Sequence, residues 1–499
     1  MKALKGLQPE KVMRYFEEIS DVPRESAKED KIADYMENFA RERGLECLRD
    51  ASNNIVIKKP ATAGYEDCDP VILQAHMDMV CVKEKGVEHD FDNEGLDLYV
   101  EDGLIRARGT TLGADDGIGV AYGLAVLDSD DIKHPALEVV FTTAEEIGMF
   151  GAQAFDTSVL KGKSMISFDA GGFTEGRIYV GCAGNIRVNI TQKLNFTELA
   201  GSAAAKKYDV VLKGLKGGHA GGEIAKGRGN ASVLCARMLK KLQVIDDLQV
   251  VAIQGGDREN PVKNSIPDMF TLTVYTGAEK ELRDMAAAFE KQLVDEYDVV
   301  EDSIKLTVSE AAAAAGDKAI AADSLRDFLE VTFLLPNGVF TMNKRFTDTP
   351  ECSSNVGSIE MDECGNLGYN FSIRTSKETV ADFLLEKVQI ITELKGFEMK
   401  VDLRLPAWDY EPNSPIKDLV EAEYERIFQA KPRFKVTPAS TECSLFKKGI
   451  DGLDVISMGP IIYEEHTPNE YMEITSVGVL WNFLLDILEK LNTLPKRGK

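Results

Sequence analysis

Five short stretches put imidazoles and carboxylates where they could share metal ions. In Leu73-Gln74-Ala75-His76-Met77-Asp78-Met79, an apolar run ends in a His and an Asp two residues apart. Side chains on an extended segment alternate between faces, so His76 and Asp78 can project the same way. A carboxylate beside an imidazole fixes which ring nitrogen is free for a metal. Taken alone, His-x-Asp is an ordinary polar strand end. The other four stretches raise its weight: Gly113-Ala114-Asp115-Asp116-Gly117, Thr143-Ala144-Glu145-Glu146-Ile147-Gly148, Ile166-Ser167-Phe168-Asp169 and Glu465-His466-Thr467-Pro468-Asn469-Glu470. Imidazole and carboxylate ligands suit Zn2+, with Mn2+ or Co2+ able to substitute. Five ligands, one of them bridging, suit two ions roughly 3.5–4 Å apart, which lower the pKa of a shared water and polarise a carbonyl. Adjacent side chains diverge, so Glu145 cannot easily serve the ion that Glu146 binds and is left free as a general base.

Three of these stretches follow apolar runs with strand character, Val71-Ile72-Leu73, Leu137-Glu138-Val139-Val140-Phe141 and Met165-Ile166. In open α/β sheets, ligands bind beyond the carboxyl ends of the strands. The run Ala121-Tyr122-Gly123-Leu124 reads as a buried helix, with Asp115 or Asp116 at its N-terminus, a place where Asp commonly serves as an N-cap. Residues 9–43 read as two amphipathic helices and 54–58 as a strand; 82–110 read as loops with a hairpin. From about 186 the pattern alternates, as in Arg187-Val188-Asn189-Ile190 and Phe270-Thr271-Leu272-Thr273-Val274, the mark of antiparallel strands with one covered face. Helices are expected at 231–243, 279–295, 416–428 and 474–491. The expected fold class is α/β: a mixed β-sheet flanked by helices, formed by 1–185 and 403–499, interrupted by an inserted α+β domain over 186–402.

The totals narrow the function. A chain of 499 residues exceeds what one core usually supports. A formal charge of −25 argues against nucleic acid or an anionic membrane as partner. The N-terminus lacks an apolar signal core, and no apolar run approaches membrane-spanning length. The eight cysteines form no C-x-x-C pair and read as reduced thiols, so a cytoplasmic location is expected. Of the five histidines, His89 and His134 fit no metal pattern and read as surface or loop residues.

Taken in order, the motifs at His76-x-Asp78, Asp115, Glu145-Glu146, Asp169 and His466 resemble the co-catalytic zinc peptidases that include carnosinases and aminoacylases. The resemblance is nearest to the cytosolic aminoacyl-histidine, or nonspecific, dipeptidases (peptidase D). It spans nearly the whole chain, including Gly217-Gly218-His219-Ala220-Gly221 and Asn264-Ser265-Ile266-Pro267. It implies two zinc ions per subunit, one held by His76 and Asp169, the other by Glu146 and His466, with Asp115 bridging. Asp78 would orient His76, and Glu145 would be the base. His219 would stabilise the oxyanion, commonly from the partner subunit of a homodimer formed through the inserted lid domain. Asn264 and Arg374 would hold the C-terminal carboxylate of a small peptide substrate, an anion suited to an Arg fork, and Glu442 joins them in substrate binding. The family pattern has a His four residues before Glu442-Cys443, where this chain has Pro438; any preference for a C-terminal histidine is thereby left open. Two other readings stay open: an aminoacylase-like amidohydrolase acting on N-acyl amino acids, and a non-catalytic peptide-binding relative. The intact Glu145 weighs against the second.

Overall fold

The structure is a computed structural model and describes residues 3–200, 205–256 and 264–496. The chain forms two compact units: Met1–Cys182 with Trp408–Val436 and Thr441–Lys499, and Ala183–Ala407 with Thr437–Ser440.

The first unit is built on an eight-stranded mixed sheet in the order Glu46–Arg49, Ile55–Lys59, Leu137–Thr142, Val71–His76, Ser164–Ser167, Asp454–Ser457, Arg177–Cys182, Arg433–Thr437. Its four central strands, 137–142, 71–76, 164–167 and 454–457, run parallel. Val71–His76 and Leu137–Thr142 are buried at every position. Strands covered on both faces carry continuous apolar runs for that reason. Because the four are parallel, their carboxyl ends share one edge of the sheet. A four-stranded sheet of Ile462–Tyr463, Tyr471–Glu473, Leu104–Ala107 and Leu98–Glu101 holds the two ends of the loop that carries His466. The helix Ala114–Leu127 packs on both Val71–His76 and the helix Glu10–Ser20. Its glycines allow this closeness: a Cβ on Gly123 would meet Val139 Cγ1 at 2.9 Å.

The second unit has a nine-stranded sheet whose paired strands are all antiparallel. The helices Ala231–Leu242, Glu279–Glu296, Ala322–Leu334 and Glu378–Leu394 contribute with the sheet to one apolar core. Alternation in burial along Gly184–Lys193 and Phe270–Thr276 is the half-covered pattern that antiparallel sheets permit. The helix Glu378–Leu394 has apolar residues on its outer side as well: Phe383, Ile390 and Leu394 are all exposed.

Candidate active site

His76 is the last residue of its strand and stands in register with Thr142. Just beyond Thr142, Ala144 has a φ of 51° and turns the chain into Glu145 and Glu146. Asp169 follows the strand Ser164–Ser167. Asp115 lies in a non-helical lead-in to the helix Ala114–Leu127, at φ −78° and ψ 114°. The N-cap role open to Asp115 or Asp116 is filled by Gly113, and no side chain caps the helix. Asp115 is thereby free of backbone duty, and its carboxylate turns toward two imidazoles.

One oxygen of Asp115 lies 3.2 Å from His76 Nε2, and the other lies 3.4 Å from His466 Nε2. His466 Nε2 is also 3.0 Å from Glu146 Oε2. Potential ligand atoms of His76, Asp115 and Glu146 all lie within 4.8 Å of one another. Asp169 interacts electrostatically with Asp115, His76, Glu146 and His466.

Asp78 braces two parts of this cluster at once. Its carboxylate lies 3.5 Å from His76 Nδ1 and accepts bonds from Ser26 Oγ at 2.7 Å and from the backbone N–H groups of Glu145 and Glu146 at 3.1 and 3.3 Å. A fully buried carboxylate needs such partners. Glu29 accepts from Ala144 N at 2.9 Å and holds the turn from the other side.

The electrostatics are those of excess buried negative charge. Burial pushes Glu145 well above the usual carboxylate range, with Asp169, Glu146 and Glu442 adding to it. Burial, then Asp115, pushes Asp169 up to about 7. Glu146 is also raised, chiefly by burial. Asp115 goes the other way: His466 and His76 outweigh its burial. Hydrogen bonds to Asp115 and Glu146 hold His466 up at about 11. Glu146 Oε1 is buried with no hydrogen-bond partner. Carboxylates that repel one another, an unsatisfied ligand oxygen and two imidazoles form a donor set that fits a divalent cation.

Glu442 is buried in the same unit, where it accepts from Gln74 Nε2 at 2.7 Å and Thr142 Oγ1 at 2.5 Å. Burial raises it to about 8, and its second oxygen is buried without a partner.

The second unit brings together His219, Asn264 and Arg374. Ala220 N donates to Asn264 O at 2.7 Å, and the side chains of His219 and Arg374 both lie against Gly221. Gly221 N and Gly222 N donate to His219 Nδ1 at 3.3 and 3.1 Å. Two donors on Nδ1 leave no place for a proton there, so the ring is neutral with its N–H at Nε2. Its affinity for a second proton falls to about 4, through partial burial and then the charge of Arg374. The loop is braced by Arg228, which donates to Gly217 O at 2.5 Å and forms a two-pronged pair with Glu223. Arg374 is 5% exposed and reaches Pro438 O at 3.4 Å.

His134, read as a surface or loop residue, lies in a loop but is wholly buried, with its Nδ1 2.7 Å from Pro135 O. The loop itself reaches solvent at Asp131 and Lys133, but His134 is tied inward to Thr62 through backbone and side-chain bonds. His89 is partly buried and stacks edge-on against Phe91.

Imidazoles and acids gathered at the carboxyl ends of parallel strands define a hydrolase of the metal-dependent kind. The chain belongs to peptidase family M20/M25/M40, whose model matches residues 72–490. It is 35% identical to the cytosol non-specific dipeptidase of Escherichia coli, over 98% of this chain and 99% of that one. Its structure is similar to that of aminoacylhistidine dipeptidase from Vibrio alginolyticus, with a TM-score of 0.84 and 34% identity over 99% of each chain. It shares a fold with a tripeptidase from Staphylococcus aureus, at a TM-score of 0.55 and 16% identity over 98% of this chain and 100% of that one.

Proposed function

We propose that this chain is a metal-dependent dipeptidase that hydrolyses the peptide bond of small, unblocked peptides. The observation that carries this reading is the Asp115 carboxylate, set with one oxygen toward His76 and the other toward His466, with Glu146 beside it. That is the disposition a bridging ligand needs. His76 and Asp169 would hold one zinc ion and Glu146 and His466 the other. When bound, such a pair supplies Lewis acidity toward a carbonyl oxygen and acidifies water. Glu145 would take a proton from the attacking water and pass it to the leaving amine. Its raised proton affinity, caused by burial among other acids, suits a group that must hold the proton between the two transfers.

His219 would donate from Nε2 to the oxyanion as a neutral imidazole, acting across a homodimer. Arg374 and Asn264 would take the substrate's terminal carboxylate, and Glu442, an acid buried beside Gln74 and Thr142, suits its free amine. The exposed stripe Phe383, Ile390, Leu394 supports pairing through the second unit. Among the described residues no helix is long and apolar enough to cross a membrane. Together with the kinship to a cytosolic enzyme, this supports a cytoplasmic location.

The test is elemental analysis combined with a substrate panel of Xaa-His, β-alanyl and other dipeptides beside N-acyl amino acids. Two zinc ions per chain and turnover of unblocked dipeptides are expected. Turnover of N-acyl amino acids alone would make the enzyme an aminoacylase, and no turnover at all would leave a binding protein.

A further inference from the structure

The segment Leu112-Gly113-Ala114, which leads into Asp115, turns three successive amides onto one acceptor. Leu112 N and Gly113 N donate to Glu470 Oε2 at 2.8 and 2.9 Å, and Ala114 N donates to Glu470 Oε1 at 2.8 Å. Glu470 is 2% exposed and ends the loop that carries His466. The opposite side of the segment is held by buried Arg24. Its Nη2 donates to Gly113 O at 2.6 Å, while Nη1 reaches Met77 O and Asp78 O, each at 3.3 Å. Gly113 has a φ of +63°, and a Cβ there would meet Arg24 Nη2 and Met79 Sδ, each at 2.6 Å, so any larger residue would be strained and would push Arg24 from its place. Glu470 and Arg24 thus tie together, through backbone groups, the three segments that carry His76, Asp115 and His466.

We propose that Glu470 is a positioning residue of the metal centre, whose buried carboxylate sets Asp115 against His466 by clamping the 112–114 amides to the His466 loop. This rests on the reading of Asp115 and His466 as metal ligands. Consecutive backbone N–H groups form a concave anion site. Here that site is filled from within the chain, by charge-assisted bonds stronger than neutral ones. A bridging carboxylate must present each oxygen to a different partner, so a small rotation of residues 113–115 spoils both contacts together. Supports of this kind typically cost about 10–100-fold in metal affinity or activity when removed.

A matched control exists in the same unit. Glu138 is 3% exposed and also clamps successive amides, those of Lys161 and Gly162, but it sits on the strand that leads toward Glu145 near that strand's start, away from the ligand-bearing end. The experiment compares Glu470→Gln, Glu470→Asp, Glu138→Gln and Asp115→Ala. Zinc affinity is measured by chelator competition, thermal unfolding is followed on metal-loaded protein, and kcat and KM are determined separately. Glu470→Gln keeps the shape but turns an amide NH2 toward N–H donors; Glu470→Asp keeps the charge but falls one methylene short. Both are expected to weaken zinc binding about 10–100-fold and to lower kcat more than KM. Glu138→Gln is expected to lose thermal stability with parental zinc affinity. Glu470 variants that fold with parental zinc affinity and kcat would overturn the proposal, and if Glu470→Gln does not fold, Glu470→Asp decides it. If Asp115→Ala also kept parental affinity, the ligand reading itself would fall; if only the Glu470 variants did, the positioning role alone would fall.

Discussion

The first unit gathers His76, Asp78, Asp115, Glu145, Glu146, Asp169, Glu442 and His466 beyond the ends of parallel strands, whereas the second gathers His219, Asn264 and Arg374 on loops and one strand of an antiparallel sheet. The first set is rich in carboxylates, of which Glu145, Glu146 and Asp169 are raised first by burial and then by the charge of neighbouring acids. It is an environment completed by cations. The second set has one guanidinium, one amide and an imidazole held neutral, which together offer donors to an anion. Their supports differ too. Strand ends and carboxylate clamps fix the first, while the second depends on a glycine-rich loop with Gly217 and Gly218 at positive φ, pinned by Arg228 and Glu223. The proposed cation site thus rests on strand ends and buried carboxylates, and the proposed anion site on a loop whose glycines reach a positive φ.

The largest effect expected on this contrast is in the first unit. Glu145→Gln should keep the fold and the bound metal while lowering kcat by about 10²–10⁴, the usual worth of general-base assistance. Steady-state kinetics beside elemental analysis check it; near-normal kcat with full metal would remove Glu145 from the chemistry. The next largest lies in the second unit. His219→Ala should lower kcat by about 10²–10³, the cost of one oxyanion donor, again with metal content unchanged. Mixing Glu145→Ala with His219→Ala under subunit exchange should restore activity, because one site in each mixed dimer would be whole. Demonstrated exchange without recovery would confine His219 to its own chain or exclude it.

Much of this site was legible because it is written locally. Val71-Ile72-Leu73 before His76, and Met165-Ile166 before Asp169, read as short buried strands; the structure places both in the parallel centre of the sheet, where an acid or imidazole at the strand end faces the edge where ligands bind. The alternation over 187–190 and 270–274 marked the antiparallel sheet in the same way. The supports were not legible. Glu470, Arg24, Ser26 and Glu29 bind backbone groups far away in sequence, and no periodicity predicts which buried acid meets which amide. Asp115 was open to an N-cap reading because Asp before a helix usually has that role; only Gly113 at φ +63° shows where the cap falls. The helices Ala322–Leu334 and Glu378–Leu394 escaped notice because apolar residues also occupy their outer sides, such as Phe333, Leu334, Phe383 and Ile390, which blurs the 3.6-residue pattern.

A smaller effect sharpens the anion-site half of the contrast. Arg374→Lys keeps the charge but loses the planar fork. With a charge-assisted hydrogen bond worth about 1.5–3 kcal/mol, KM for dipeptides should rise by roughly ten- to a hundredfold with kcat less affected. A dipeptide amide, which lacks the terminal carboxylate, should be insensitive to the change. Equal loss on both substrates would place Arg374 in the support of the fold and not at the carboxylate.

The smallest expected effect is a flat line, and it separates a neutral imidazole from an imidazolium at His219. Gly221 N and Gly222 N both donate to Nδ1, and the ring's proton affinity is lowered to about 4 by partial burial and Arg374, against an opposing pull from Glu223. The imidazole is partly enclosed by its neighbours while the residue as a whole keeps access to water, so solvent screens part of the charge effect, but the two amide donors do not depend on that screening. A histidine with a depressed folded pKa works in its neutral form above that value and loses it only as pH falls toward about 4. The unfolded chain would take up the proton earlier, near the ordinary value of about 6.5, so this group makes the protein less stable as pH falls between those limits. Activity should follow the neutral form. The ratio of parental kcat/KM to that of His219→Ala should therefore stay constant from about pH 5 to 8, whatever the shape of each profile alone, because metal and base titrations cancel in the ratio. Were the working group an imidazolium with an ordinary pKa, the ratio would drop about tenfold per pH unit above about 6.5, and that slope would overturn the assignment of a neutral Nε2 donor.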